Sequence, residues 1–323
     1  MKTMLAPLAA IFLASAAHAG EAMPKAPLDV TAPGPQGDLA GTLIPPADGQ
    51  PTVLIIPGSG PTDRDGNSPM GVTAASYRLL AEALQEQGIG SLRIDKRGMF
   101  GSKAAIADAN KVSVDAYAGD VAKWVEVARQ KTGAECIWLL GHSEGGLIAL
   151  EAAQTPQGIC GVVLVASVGR TLGDTLREQL RANPANAPIL DEAMATIAVL
   201  EAGERVSADG MHPALISLFA PAVQGFLIDL MSRDPAAMAG DLTVPALIVA
   251  GGKDIQTPPA DAEALAKGQP AAAMVVIEDM NHVLKAVEDD GRAANIATYS
   301  DSSVPIHPEL VEVVSGFVTS RSD

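Results

Sequence analysis

The stretch "LLGHSEGGLIAL", residues 139–150, joins an apolar run to a helical pattern through three glycines that flank a serine and a glutamate. Residues 137–140 are continuously apolar, as in a strand buried on both faces, and the run from Leu147 continues with helical spacing. Between them stands Gly141-His142-Ser143-Glu144-Gly145. A serine at a one-residue turn from strand to helix is forced into a strained backbone conformation that lifts its hydroxyl above the sheet. Side chains two residues to either side would collide with neighbouring backbone, so glycine stands at both places. A helix beginning at Glu144 also brings its positive N-terminus and free N–H groups to the serine, which suits an oxyanion. Taken alone, five such residues would also describe a tightly packed glycine-rich helix start. The strand before them and the helix after them favour a nucleophile at Ser143.

The rest of the chain repeats the same alternation. Strands are expected at 41–45, 52–57, 90–95, 136–141, 161–167, 246–251 and 273–278, and helices near 74–87, 113–131, 144–154, 259–266 and 308–320. Apolar strands separated by amphipathic helices predict an α/β fold with a mainly parallel sheet covered on both faces. A hairpin-like start around 28–45 adds antiparallel strands at one edge. From Thr171 to Asp241 no strand-like run occurs, only helical patches such as "LDEAMATIAVLEAGE". That length exceeds an ordinary connection and reads as a helical cap inserted at 171–241 between core segments 20–170 and 242–323.

The chain of 323 residues is 48% hydrophobic, enough for one large core, but only 3% aromatic, so the core is built from Ala, Val, Leu and Ile. The net charge of −16 argues against nucleic acid and anionic membrane surfaces as partners. Residues 1–19 read as a signal peptide: Lys2, an apolar stretch from Leu5 to Ala17, and the small-x-small site Ala17-His18-Ala19. That stretch is shorter than the roughly 20 residues a membrane span needs. The mature protein is therefore expected to be exported, periplasmic or extracellular, without membrane insertion. Cys136 and Cys160 each stand beside the start of an expected strand. In an oxidising compartment they can pair if those strands are neighbours, or remain two buried thiols.

A serine hydroxyl needs a base. Of five histidines, His18 leaves with the signal, His142 is expected to point away from its neighbour Ser143, His212 falls in the cap and His307 begins the last helix. His282, in "MVVIEDMNHVLK", follows a strand and falls at the same sheet edge as Ser143. The base in turn needs a carboxylate to fix its tautomer. Asp254, in "ALIVAGGKDIQTP", lies just past a strand at that edge. Asp241 precedes the strand, Asp261 belongs to the following helix, and Asp279 in the His282 loop is the main rival. For the oxyanion, the backbone N–H groups of Glu144 and of Ser59, in "GSGPTDRDGN" after the second expected strand, are the expected donors. A plain turn is the alternative for that loop, and Asp63, Arg64 and Asp65 either brace it or are solvated.

"PGSGPTDRDGN", "LRIDKRGMFGS", "GHSEGG", "VPALIVAGGKDIQTP" and "MNHVLK" together resemble the α/β-hydrolase superfamily, in its secreted bacterial esterase-type branch. The resemblance covers the chain from about residue 28 onward and is weakest in the cap. It implies an eight-stranded sheet, hydrolysis through an acyl-enzyme, no cofactor, and a triad of Ser143, Asp254 and His282 in the order Ser–Asp–His, but it does not carry the substrate, which is expected to be a small-molecule ester. Small or medium acyl esters are the expected substrates. Alternatives on the same fold are an aminopeptidase, with Glu201, Glu204 or Asp229 holding a substrate amine, and a thioesterase or lactonase. A non-catalytic binding protein is the alternative of a different class. Where many relatives carry "RGxGxS", this chain has Met99 and Phe100, expected to fill the base of the cap or to narrow the site floor. Phe219, Phe226, Leu227, Met194, Met211, Met231 and Met238 either line an acyl pocket or form the cap's own core.

Overall fold

The structure is a computed structural model that describes residues 25–289 and 291–321. The expected signal peptide lies outside the described residues. Eight strands form one sheet: β1 (Leu28–Pro33), β2 (Asp38–Ile44), β3 (Thr52–Ile56), β4 (Gly90–Ile94), β5 (Ile137–His142), β6 (Ile159–Val165), β7 (Ala246–Gly251) and β8 (Ala273–Ile277). Their spatial order is β1-β2-β4-β3-β5-β6-β7-β8. β1 and β2 pair antiparallel, as do β2 and β4, and every later pair is parallel. The helices are α1 (Ser76–Glu86), α2 (Val114–Thr132), α3 (Glu144–Ala153), α4 (Leu172–Ala182), α5 (Leu190–Glu201), α6 (Pro213–Phe219), α7 (Gln224–Met231), α8 (Pro235–Gly240), α9 (Pro259–Gly268), α10 (Arg292–Ala297) and α11 (Pro308–Thr319).

The continuous apolar strands are buried on both faces because successive side chains feed different cores. Val53, Ile55, Leu140, Val163 and Val249 pack with Leu80 and Leu84 of α1 and Val314 of α11. Leu54, Ile56, Leu139, Val162 and Ile248 pack on the other face with Val121 and Trp124 of α2, Ile148 of α3 and Leu265 of α9. Local signals set the ends of α2. Ser113 accepts a bond from Ala116 N at its start, and Gly133 closes it in the left-handed region at φ 77°.

Between β6 and β7 the described chain is helical, from α4 to α8. Phe219, Leu200, Ile197 and Leu215 form a separate small core there, joined by Met211 and Met231, with Met194 and Leu227 against it. α8 behaves differently. Its Ala239 is buried in the sheet-side core, and Gln269 Nε2, just past α9, donates to Ala239 O at 3.0 Å. The last helix before β7 therefore packs chiefly on the α/β layer, with its Met238 also against the cluster of Val114, Leu147 and Leu230.

Two local details differ from expectation. β6 begins two residues earlier than the apolar run, so Cys160 lies inside the strand, and it is joined to Cys136 in a disulfide across the β5–β6 pair. Phe100 is 41% exposed and opens a 3-10 turn at φ 42°, with the half-buried Met99 just before it. Among the described residues, no single helix is long and apolar enough to cross a membrane.

Candidate active site

β3, β5, β7 and β8 run parallel, so the loops leaving their C-terminal ends gather at one edge. Ser143 stands between β5 and α3 at φ 55° and ψ −124°, a left-handed conformation that costs a non-glycine residue free energy. The neighbouring glycines explain how it is held. A Cβ on Gly145 would lie 2.3 Å from Ile56 O, and one on Gly141 2.3 Å from Gly145 O. Ser143 N donates to Val165 O at 3.1 Å, which ties the turn to β6.

His282 and Asp254 meet across the loops after β8 and β7. His282 Nδ1 donates to Asp254 Oδ2 at 2.8 Å, which leaves Nε2 as the acceptor nitrogen of the neutral ring. Asp254 Oδ1 accepts from Gln256 N at 2.7 Å and from Thr257 N at 2.9 Å. The Thr257 hydroxyl lies 2.8 Å from Asp254 Oδ2 and 2.9 Å from Ala166 O, bridging the carboxylate to the end of β6. Burial alone would raise the Asp254 carboxyl. The charge and hydrogen bond of His282, with the two backbone donors, outweigh it and hold the group below its ordinary range.

The other candidates have separate duties. Asp279 accepts from His307 Nε2 at 2.9 Å, and His307 caps α11. Asp261 binds Gly169 N, Arg170 N and the Arg170 guanidinium. His212 caps α6. In the loop after β3, Asp63 accepts from Asp65 N and Asn67 N, Arg64 binds Asp95, and Asp65 pairs with Arg93, so these residues brace the loop.

His142 makes contacts that its sequence position does not announce: Nε2 donates to His282 O at 2.8 Å, with the two ring centroids 4.8 Å apart. Nδ1 then accepts from Tyr77 Oη at 2.8 Å, and the same oxygen accepts from Gly58 N at 3.0 Å. One chain of bonds thus links the β3 loop, α1, the Ser143 turn and the His282 loop. Alternation along β5 does send residue 142 to the opposite side from the serine hydroxyl, but sequence carries no sign of what waits there.

Ser59, Ser143 and Glu144 open on one cavity of about 100 Å³ with apolar walls from Leu147, Val168, Leu172, Leu230 and Pro235. Arg170 and Arg233 complete the lining, both already paired with carboxylates. Phe219, Met194, Met211, Met231 and Leu227 belong to the cap's own core, and Phe226 and Met238 pack at its junction with the sheet layer. A larger cavity, about 670 Å³, lies beside Cys136 and Cys160 at the opposite edge of the sheet and contains none of the groups above.

A mainly parallel eight-stranded sheet with a serine in a glycine-flanked strand-to-helix turn defines an α/β-hydrolase. Within that class the chain belongs to the serine aminopeptidase (S33) family, whose profile matches residues 69–289. It is 29% identical over 273 residues to esterase EstD of Thermotoga maritima, an alignment covering 83% of this chain and 62% of that one. The chain thus spans less than two thirds of that relative's length. Among solved structures, the alpha/beta hydrolase GrgF from Penicillium sp. sh18 superposes with a TM-score of 0.60 at 21% identity, over 92% of this chain and 99% of that one. A thermophilic esterase from Thermogutta terrifontis gives 0.56 at 19% identity, over 92% and 100%. Proline iminopeptidase of Mycobacterium smegmatis gives 0.55 at 16%, over 91% and 99%. These three share the fold.

Burial, and secondarily the nearby His282, push His142 down from 6.5 to about 3. Below pH 6.5 the unfolded chain takes up a proton at this ring that the folded chain refuses until about pH 3. Stability should therefore fall with pH across that window, by up to about 1.4 kcal/mol per unit from this group. In urea denaturation, His142→Gln should narrow the stability gap between pH 7 and pH 5 by about 1 to 2 kcal/mol. An unchanged gap would contradict a buried neutral ring.

Proposed function

We propose that this chain is a serine esterase that hydrolyses small-molecule carboxylic esters through an acyl-enzyme on Ser143. The observation that carries this reading is the 2.8 Å contact of His282 with Asp254 in the loops beside the Ser143 turn. In the proposed reaction, His282 Nε2 takes the Ser143 proton as Oγ bonds to the ester carbonyl carbon. The backbone N–H groups of Ser59 and Glu144 hold the oxyanion that forms, aided by the N-terminus of α3. Collapse breaks the carbon–oxygen bond to the alcohol, which takes the proton from His282. Water, deprotonated by the same ring, then attacks the acyl-enzyme. The acid leaves, and the proton returns to Ser143. Asp254 stabilises the imidazolium in both halves.

The esterase named among its relatives supports the ester over the amide substrate that the family's description suggests. A substrate amine calls for an unpaired carboxylate at the cavity. Glu201 is paired with Arg177, Asp229 with Arg233 and Val114 N, and Glu204 is exposed and absent from the cavity lining. The disulfide supports an oxidising compartment, consistent with export after removal of residues 1–19.

The cavity of about 100 Å³ has room for roughly three or four groups of water or methylene size. Against a series of nitrophenyl esters, kcat/KM should peak at two to four acyl carbons (about the cavity's capacity) and fall about tenfold or more by eight. Ser143→Ala should lower hydrolysis of the best ester by about three orders of magnitude or more. A maximum at long chains would refute the size assignment, and activity near the parent rate in Ser143→Ala would refute the nucleophile.

A further inference from the structure

Lys96 is a buried lysine that this reaction does not use. It stands two residues past β4, is 4% exposed, and lies under the site between two loops. Its Nζ donates to Gly58 O at 2.7 Å and to Glu144 Oε1 at 3.2 Å. The Glu144 side chain is itself nearly buried. The Tyr117 ring covers the cation at 5.3 Å from its centroid. Removing two charges from water is costly, so a pair in this position calls for a reason other than stability.

The reason lies in what the two acceptors adjoin. Gly58 O and Ser59 N belong to one planar trans peptide, so the carbonyl and the N–H point in opposite directions. Fixing the carbonyl fixes the axis of the N–H. The second acceptor is the side chain of Glu144, the first residue of α3, directly after Ser143. Gly58 has no side chain to steady it, because a Cβ there would stand 3.1 Å from Ser143 Cβ. Its polar groups are gripped instead, the N–H by Tyr77 Oη and the carbonyl by Lys96.

We propose that Lys96 is a positioning residue of the oxyanion site: by bridging Gly58 O and the Glu144 carboxylate it holds both backbone donors, Ser59 N and Glu144 N, at a fixed separation. The role rests on the esterase reading above. A cation on the Gly58 carbonyl also polarises the peptide and strengthens its N–H as a donor. Lys96 touches no reacting atom. It acts on the transition state and leaves ground-state binding alone.

The test uses Lys96→Met and Lys96→Gln, neither long and cationic enough to bridge both acceptors. Each is compared with the parent on a short-chain nitrophenyl ester and on a short alkyl trifluoromethyl ketone, whose adduct with a serine places an oxyanion between the donors. Folding is checked by thermal melt, and either folded variant suffices. In the variant, kcat should fall about 10- to 100-fold with KM within about threefold. The ketone inhibition constant should rise by the factor that kcat/KM loses. A folded variant with kcat within about threefold of the parent overturns the proposal, as does a loss of kcat with ketone affinity unchanged. Ser143→Ala separates the two levels. If it abolishes hydrolysis while the Lys96 variants keep theirs, the positioning role alone is wrong. If Ser143→Ala hydrolyses like the parent, the esterase reading falls first.

Discussion

At Ser143 the chain passes from strand to helix in a single residue held at φ 55° and ψ −124°. The rest of this sheet edge is arranged around that turn. β5 is central, with β3 on one side and β6 on the other, and each neighbour contributes something to the turn. β6 accepts the Ser143 N–H through Val165 O, while the carbonyl of Ile56 at the end of β3 comes so close to Gly145 that a methyl group there would overlap it. The strain is sustained by contacts that leave no room to relax. Replacing glycine at 141 or 145 would oblige the backbone to move, and the serine with it.

The same edge carries several buried polar groups, and their partners account for their burial. Asp254, Thr257 and His282 satisfy one another, while His142 and Tyr77 connect the His282 loop to the β3 loop and Lys96 with Glu144 connects the β3 loop to α3. Satisfied networks of this kind fix geometry more than they add stability. They tie together four segments far apart in sequence, which is what a site assembled from loops requires. The inserted helices have their own small core and meet this edge through apolar side chains such as Leu172 and Leu230.

What sequence could reveal follows from how local each cause is. The Ser143 turn was readable because glycine spacing, the apolar strand and the helix all lie within twelve residues. Asp254 and His282 were readable because each follows a strand whose direction a parallel sheet fixes, and the structure brings those two into contact. The partner of His142 was not readable, since a carbonyl 140 residues away leaves no local trace. Lys96 was hidden for the same reason: in "RIDKRG" it reads as one charge among several, and only the fold buries it under Gly58. Phe100 misled because its bulk, where many relatives carry "RGxGxS", suggests packing, whereas the side chain stands exposed at the head of a 3-10 turn. The assignment of α8 also depended on tertiary contact, because a six-residue helix has too little pattern to show which core it joins. The cysteines marked neighbouring strands but left their pairing open until the β5–β6 register was known.

The central claim is that the raised hydroxyl at the β5–α3 turn is the nucleophile and that the imidazole in the β8 loop activates it. The most direct measurement is reaction of the folded chain with a fluorophosphonate probe, followed by mapping of the adduct by tandem mass spectrometry. The account predicts one adduct, on Ser143, whose formation nearly ceases in His282→Ala. An adduct on another residue, or undiminished labelling of Ser143 without the imidazole, would contradict it.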